Sequence, residues 1–411
     1  MNVLFLGNGF DLFHNLPTKY INFLNTVDFL SSYDISTIST IGDVFANENL
    51  NSRDKEIQES YSLYGEIYDN IAIDTTALNQ LKSLKNNLWY KYFSNTLKLD
   101  VKWIDFEKEI FAVIQSFQNL FALNVRTNVS LGKLDVENKY IIEQFDFFLN
   151  PTSGSTVPAG AKPIKPEYLI EVPIGSQNKI MDKAKIVKEL SVQLSDLAEA
   201  LRIYLKCFVE KMLEKIANKQ DLQWKQAFQY TDYAITFNYT NTYELLYKKA
   251  EVAHIHGNVN TQIVLGVNPD GADIIETVDT TFVPFKKYFQ RIKYKTDIKY
   301  LEFIEKNKNN SDLALYIIGH SLDITDKDII QEAFSVARKI YILSYDEKDE
   351  SNHISNLINI FGKSDFDTMR REKDISFMSI SDDIKTIMRE NSEEEKHRKW
   401  SDAMSAMRTI I

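Results

Sequence analysis

The sequence predicts an α/β protein, a Rossmann-like parallel sheet carrying a large and mostly helical insertion, and three observations carry that prediction. An apolar run, Val3-Leu4-Phe5-Leu6, passes directly into a glycine loop, Gly7-Asn8-Gly9-Phe10-Asp11. Short β-rich runs return only after residue 226, where helical periodicity alternates with them. Between the two lies a long stretch whose apolar residues recur at three- and four-residue spacing, as amphipathic helices require. Strands alternating with helices imply a parallel sheet, and the lone N-terminal strand must pair with the later ones. The economical arrangement is one α/β domain, residues 1–25 plus 226–383, interrupted by a helical insertion over 26–225 and followed by a charged helical tail, 384–411.

Taken in order, the first element is a buried strand opening into a candidate phosphate cradle. Glycine lets the backbone approach a ligand closely, and free N–H groups at a helix start attract anions. The dinucleotide fingerprint G-x-G-x-x-G is incomplete, because Leu12 replaces its third glycine, and no short βαβ unit follows. That argues against a hydride-transfer Rossmann domain. The insertion reads as helix over 79–122, 135–149 and 179–218. Five of the eight prolines fall between Pro151 and Pro173, so 150–178 is predicted to be a long exposed loop, either a lid or oligomer contact or a solvated connector. Strands are predicted at Tyr233–Phe237, Val252–Ile255, Ile263–Gly266, Ala314–Ile318, Lys339–Leu343 and Ile375–Ser379, with helices at 285–308, 324–337 and 351–363.

Composition narrows the function. The chain has 411 residues, 44% of them hydrophobic, enough for a sizeable core, and a net charge of −10 that argues against bulk affinity for nucleic acid or anionic membranes. Cys207 is the only cysteine, so neither an internal disulfide nor a four-cysteine zinc site can form, and a cytoplasmic setting is expected. No apolar stretch reaches the ~18 residues that a membrane span needs.

Ligands of open parallel sheets sit outside the carboxyl ends of the strands, so polar residues directly after apolar runs are the candidates. Four groups qualify: Gly7–Asp11, Thr236-Phe237-Asn238-Tyr239-Thr240, His254-Ile255-His256-Gly257 and Gly319-His320-Ser321-Leu322.

These groups carry a resemblance. Gly7-Asn8-Gly9-Phe10-Asp11 with Leu16-Pro17 resembles the sirtuin signature G-A-G-x-S followed by G-I-P, with Asp11 and Asn15 standing where sirtuins have Ser and Gly. Thr236-Phe237-Asn238 is similar to the sirtuin T-Q-N, His256-Gly257 to its catalytic H-G, and Gly319-His320-Ser321 to the G-T-S that contacts the dinucleotide. Together with Leu16-Pro17-Thr18 and Tyr20, the motifs resemble more closely the AbiH abortive-infection family, a bacterial group with a sirtuin-like domain. The likeness covers the α/β core only. The missing zinc cysteines, and Tyr239-Thr240 where sirtuin deacylases carry Ile-Asp, point away from deacylation and toward sirtuin-like enzymes that hydrolyse NAD+.

The resemblance thus implies an NAD+ glycohydrolase that releases nicotinamide and ADP-ribose, acting in antiphage defence by NAD+ depletion. Asn238 would orient water and ribose hydroxyls, His256 would act as general base on a ribose hydroxyl or that water, and Asp11 would steady positive charge developing at the ribose carbon or hydrogen-bond a ribose hydroxyl. Gly7, Asn8 and Gly9 would contact the pyrophosphate and Ser321 the adenosine half, with Phe10, Thr236, Tyr239 and Gly319 completing the NAD+ contacts. No metal is expected. An enzyme that destroys a central cofactor must be restrained, so a homo-oligomer or a regulatory partner protein is expected.

The residues by themselves leave plainer readings open. Asn238 and Thr240 could cap a helix starting near Thr242. His256 could be structural, and Asp105, Glu107 and Glu109 could be a solvated acidic face or a cleft wall. At the level of the whole protein, a non-catalytic NAD or ADP-ribose sensor and an ADP-ribosyl transferase remain alternatives.

Overall fold

A computed structural model describes residues 1–97, 105–123, 126–150, 161–171, 179–217, 224–247, 249–268 and 280–392. One sheet is built from β1 (Asn2–Leu6), β2 (Tyr233–Thr236), β3 (Glu251–His254), β4 (Ala314–Ile318), β5 (Lys339–Ser344) and β6 (Asp374–Ser379). Across the sheet the strands run β6-β5-β4-β1-β2-β3, all parallel. Read from the other edge this is the 3-2-1-4-5-6 order of doubly wound nucleotide-binding sheets, whose crossovers change direction beside β1 and leave a crevice between β1 and β4.

Strands β1 and β4 are buried at every position, which is why they read as unbroken apolar runs. Alternation along β1 sends Val3 and Phe5 to one face and Leu4 and Leu6 to the other, each with its own apolar layer. Helices at Lys327–Val336 and Glu347–Phe361 cover the first face. The second is covered by Phe10, Trp224, Phe228 and the helix Ile384–Glu390. That last helix is tied to β1 and β4, for Asn2 Nδ2 donates to Met388 O at 2.7 Å and Asn391 Nδ2 to Tyr316 Oη at 2.9 Å. The start of the segment predicted as a tail therefore belongs to the core, while 393–411 lies outside the described residues.

The helix Tyr20–Ser32 leads into the insertion, which contributes further helices at Lys55–Tyr68, Thr75–Ser83, Leu88–Leu97, Phe106–Ala122 and Lys183–Tyr204, the last continuing through a π turn, Leu205–Glu210. They share an apolar core that also takes in Val259, Ile263, Leu265 and Phe285 from beyond β3. The predicted strand Ile263–Gly266 accordingly joins no sheet. Its backbone turns instead to the site loop and a neighbouring helix, with Val264 N on His256 O at 2.8 Å and Leu265 N on Gln290 Oε1 at 2.9 Å. The predicted helix over 135–149 is shorter, Val136–Glu143. Part of the predicted proline-rich loop pairs as short antiparallel ribbons, Ala161–Pro163 with Asn128–Ser130 and Leu169–Glu171 with Lys179–Met181, whereas 151–160 and 172–178 lie outside the described residues. Among the described residues no helix is long and apolar enough to cross a membrane.

Candidate active site at the strand ends

The chain leaves β1 through Gly7 into the short helix Asn8–Phe13 and leaves β4 through Gly319. The two loops touch: Gly9 N donates to Gly319 O at 2.8 Å, and a Cβ on Gly9 would fall 2.6 Å from Gly319 Cα. Gly319 itself holds a left-handed φ of +65°. The glycines thus serve loop-on-loop contact. With Gly7 N also on Ile318 O, two of the three residues predicted to contact a pyrophosphate, Gly7 and Gly9, have their amides engaged within the protein, as has Phe10 N on Gly7 O, which corrects the simple cradle expectation.

Above these loops lies a cavity of about 370 Å³. Gly7, Asn8, Gly9, Asp11, Asn238, Tyr239, His256, Gly319 and Ser321 all line it, so sites far apart in sequence meet in one crevice. Phe10 and Thr236 do not. Phe10 is buried against Trp224, its ring stacked at 5.7 Å, because its position on the short helix faces the sheet. Thr236 turns its hydroxyl to accept from Asn238 N at 3.1 Å, shaping the loop that carries Asn238.

The polar floor is incompletely satisfied. Asp11 is 1% exposed; its Oδ2 accepts from Thr240 Oγ1 at 2.6 Å, while Oδ1 has no partner. Both amide atoms of buried Asn238 also lack partners. Neither Asn238 nor Thr240 caps the following helix, whose N-cap is Asn241, so the capping reading falls away. Burial pushes the Asp11 carboxyl up to about 6, against the lowering effect of the Thr240, Thr242 and Asn238 side chains. His256 is 4% exposed, with Nε2 3.1 Å from Asp326 Oδ1 but not aligned for a hydrogen bond. Burial, together with the charge of Lys287, holds its imidazole below the usual histidine value despite Asp326, which favours the neutral ring.

Three further histidines among the described residues have bonds of their own. His254 is held by Glu244 at 2.6 Å and the Asn238 carbonyl at 3.1 Å. His320 Nδ1 accepts from Leu322 N at 2.9 Å, and His14 bonds Phe10 O and Tyr247 Oη. Among the described residues no group of three or more His, Cys, Asp or Glu is arranged to hold a metal ion.

The insertion supplies much of the facing wall, with Asp105, Glu107 and Leu205 on the cavity beside Tyr20, which stands just before it. Asp105 caps the helix Phe106–Ala122 through Glu107 N at 3.0 Å and places Glu107 in its first turn. Glu107 Oε2 lies 2.7 Å from Lys287 Nζ, which also donates to Asp326 Oδ1 at 2.9 Å. The acidic segment is therefore a cleft wall at Asp105 and Glu107. Sequence reasoning missed Lys287 and Asp326. Asp326 stood only a turn beyond the Gly319–Leu322 motif, while nothing local marked Lys287 as fully buried.

Fold and site together define a doubly wound α/β protein with a cavity at its switch point, floored by the buried polar side chains of Asp11, Asn238 and His256. The family model for bacteriophage abortive infection AbiH matches residues 3–345, and the chain belongs to that family, which gives it a role in abortive infection by phage. No curated protein and no solved structure matches the chain.

Proposed function

We propose that this AbiH protein is a sirtuin-like NAD+ glycohydrolase and that it acts in phage defence by depleting NAD+. The observation that carries the reading is the set of unpartnered buried atoms, Asp11 Oδ1 and the Asn238 amide, beside His256 in one cavity. A buried polar group without a partner costs about 1–3 kcal/mol, so its retention in a crevice favours a ligand that completes it. A cavity of about 370 Å³ falls within the range of small-molecule sites.

In the proposed reaction the bond between nicotinamide and the ribose carbon breaks with its electron pair passing to nicotinamide, which leaves neutral and needs no general acid. Water adds to the ribose carbon, and its proton passes to the His256 imidazole and then to solvent, giving ADP-ribose. Ionised Asp11 opposes the positive charge that develops on the sugar, as carboxylates do in glycoside hydrolysis. Asn238 offers both a donor and an acceptor to the water and the ribose hydroxyls. The dinucleotide's phosphates would lie over the loops after β1 and β4, where the Asn8 and Ser321 side chains supply donors in place of the engaged glycine amides.

The test is NAD+ consumption by the purified chain, alone and with phage-infected lysate, with products resolved by chromatography. Nicotinamide and ADP-ribose should appear with the wild type and fall by about 10²–10⁴-fold in Asn238→Ala and His256→Ala, both folded. Bound NAD+ with no turnover under either condition would refute the hydrolase reading.

A further inference from the structure

Glu107, Lys287 and Asp326 are buried charges that the proposed reaction leaves unused. They join three separate parts of the chain. Glu107 begins an insertion helix, Lys287 opens the helix Lys287–Tyr294, and Asp326 stands in the loop after β4. Lys287 is fully buried, and the side chains of Glu107 and Asp326 are 16% and 10% exposed. A buried ion group of this kind is often no more stable than apolar packing, so its presence calls for another explanation.

The charge count supplies one. With both carboxylates ionised, one ammonium faces two anions and the group keeps a single negative charge. The end nearest the site is Asp326 Oδ1, 3.1 Å from His256 Nε2. We infer that Glu107 is a positioning residue for His256: by sharing the Lys287 ammonium it leaves Asp326 with negative charge free to hold the imidazole and support the imidazolium that forms when it takes a proton.

This inference rests on the hydrolase reading for its substrate but not for its geometry. Asp326 Oδ1, 3.1 Å from Nε2, favours a proton on that nitrogen through its charge although the pair is not aligned for a hydrogen bond, and a proton there leaves Nδ1 as the basic nitrogen. The charged and titratable groups around His256 come from several elements: Asp326 and His320 after β4, Lys287 and Arg291 on one helix, Tyr239 after β2, Glu107 on the insertion and Asp11 after β1. Burial and Asp326 raise the Glu107 carboxyl above its ordinary value, against Lys287, so protonation of Glu107 removes the spare charge. Because Glu107 belongs to the insertion, the histidine on the sheet domain is completed only when the insertion helix is seated. The insertion thereby becomes part of the control of the site.

The experiment follows the His256 ring by NMR from pH 5 to 9 in the full chain, assigned with His256→Gln, alongside kcat and KM for NAD+ at pH 8. In the wild type the ring should report two steps, its own ionisation and a second from Glu107, and Glu107→Gln should leave only the first. The same variant should lose about 10–100-fold in kcat with KM changed less than about 3-fold, and Glu107→Asp, which keeps the charge, should restore the second step and part of the rate. A His256 titration and kcat identical in the wild type and Glu107→Gln would overturn the inference. If the wild type hydrolyses no NAD+ while the two titrations still differ, the network stands and the substrate assignment falls.

Discussion

The two walls of the cavity are held in opposite ways. On the strand-end wall, Asp11 and Asn238 are buried with atoms left unpartnered. On the facing wall the polar side chains are engaged, for Asp105 caps its helix, Glu107 pairs with Lys287 and Lys19 just before the insertion pairs with Glu56, while the Tyr20 ring stacks on Phe106 at 4.1 Å. The contrast separates two uses of burial. One wall keeps hydrogen-bonding capacity in reserve for a ligand, and the other uses its capacity to fix geometry.

Substitutions should expose that difference. Lys287→Met leaves two buried carboxylates facing each other, so it should cost about 3–5 kcal/mol in denaturant unfolding, whereas Asn238→Ala, whose amide meets no hydrogen-bond geometry and only eases the Asp11 carboxylate, should cost about 1 kcal/mol or less. Equal losses in both would erase the distinction between the walls.

Asp11 should behave in the opposite sense to Lys287. Its folded carboxyl, at about 6 against 3.8, binds a proton more readily than the unfolded one, so its contribution to stability falls as pH rises from about 4 to about 6 and stays low above that. Asp11→Asn should therefore stabilise the chain at pH 8 by up to about 3 kcal/mol, with no gain below pH ~4, while NAD+ turnover is lost. Thermal melts at pH 4 and pH 8 read this directly, and a pH-independent difference would show that Asp11 is not held as described.

Smaller effects test how the two site loops are joined. Gly9→Ala places a methyl 2.6 Å from Gly319 Cα and should cost about 1–3 kcal/mol with a raised KM, since the loops must part. Tyr345→Phe removes the hydroxyl that donates to Gly9 O at 2.6 Å at a partly exposed position; about 1 kcal/mol or less is expected, with kcat unchanged. A larger loss from Tyr345→Phe than from Gly9→Ala would mean that the β1 loop is pinned chiefly by the loop after β5 and not by Gly319.

Helical periodicity misleads in one informative place. In Lys287–Tyr294 the pattern would turn Tyr288, Phe289 and Ile292 inward, yet these are exposed and Lys287, Gln290 and Arg291 are buried. The helix is inverted because its inner face meets Asp326, Leu265 and Asp328, groups that need donors. The Ile263–Gly266 run misleads for a related reason: a short apolar segment looks alike whether it is buried in a sheet or against helices.

What the sequence determined by itself was local: apolar runs fully buried in a parallel sheet, the polar residues that follow each run, and hence Asp11, Asn238 and His256 as cavity residues. Those follow from patterns only a few residues long, together with the rule that strands of such a sheet end on one side. Tertiary structure alone decided that the glycine amides are spent on the neighbouring loop, that the insertion closes the cavity, and that Glu107 reaches His256 through Lys287 and Asp326. The physical reason is that a buried charge is tolerated only beside its partner, and the partners come from distant stretches of chain whose local sequence carries no record of one another.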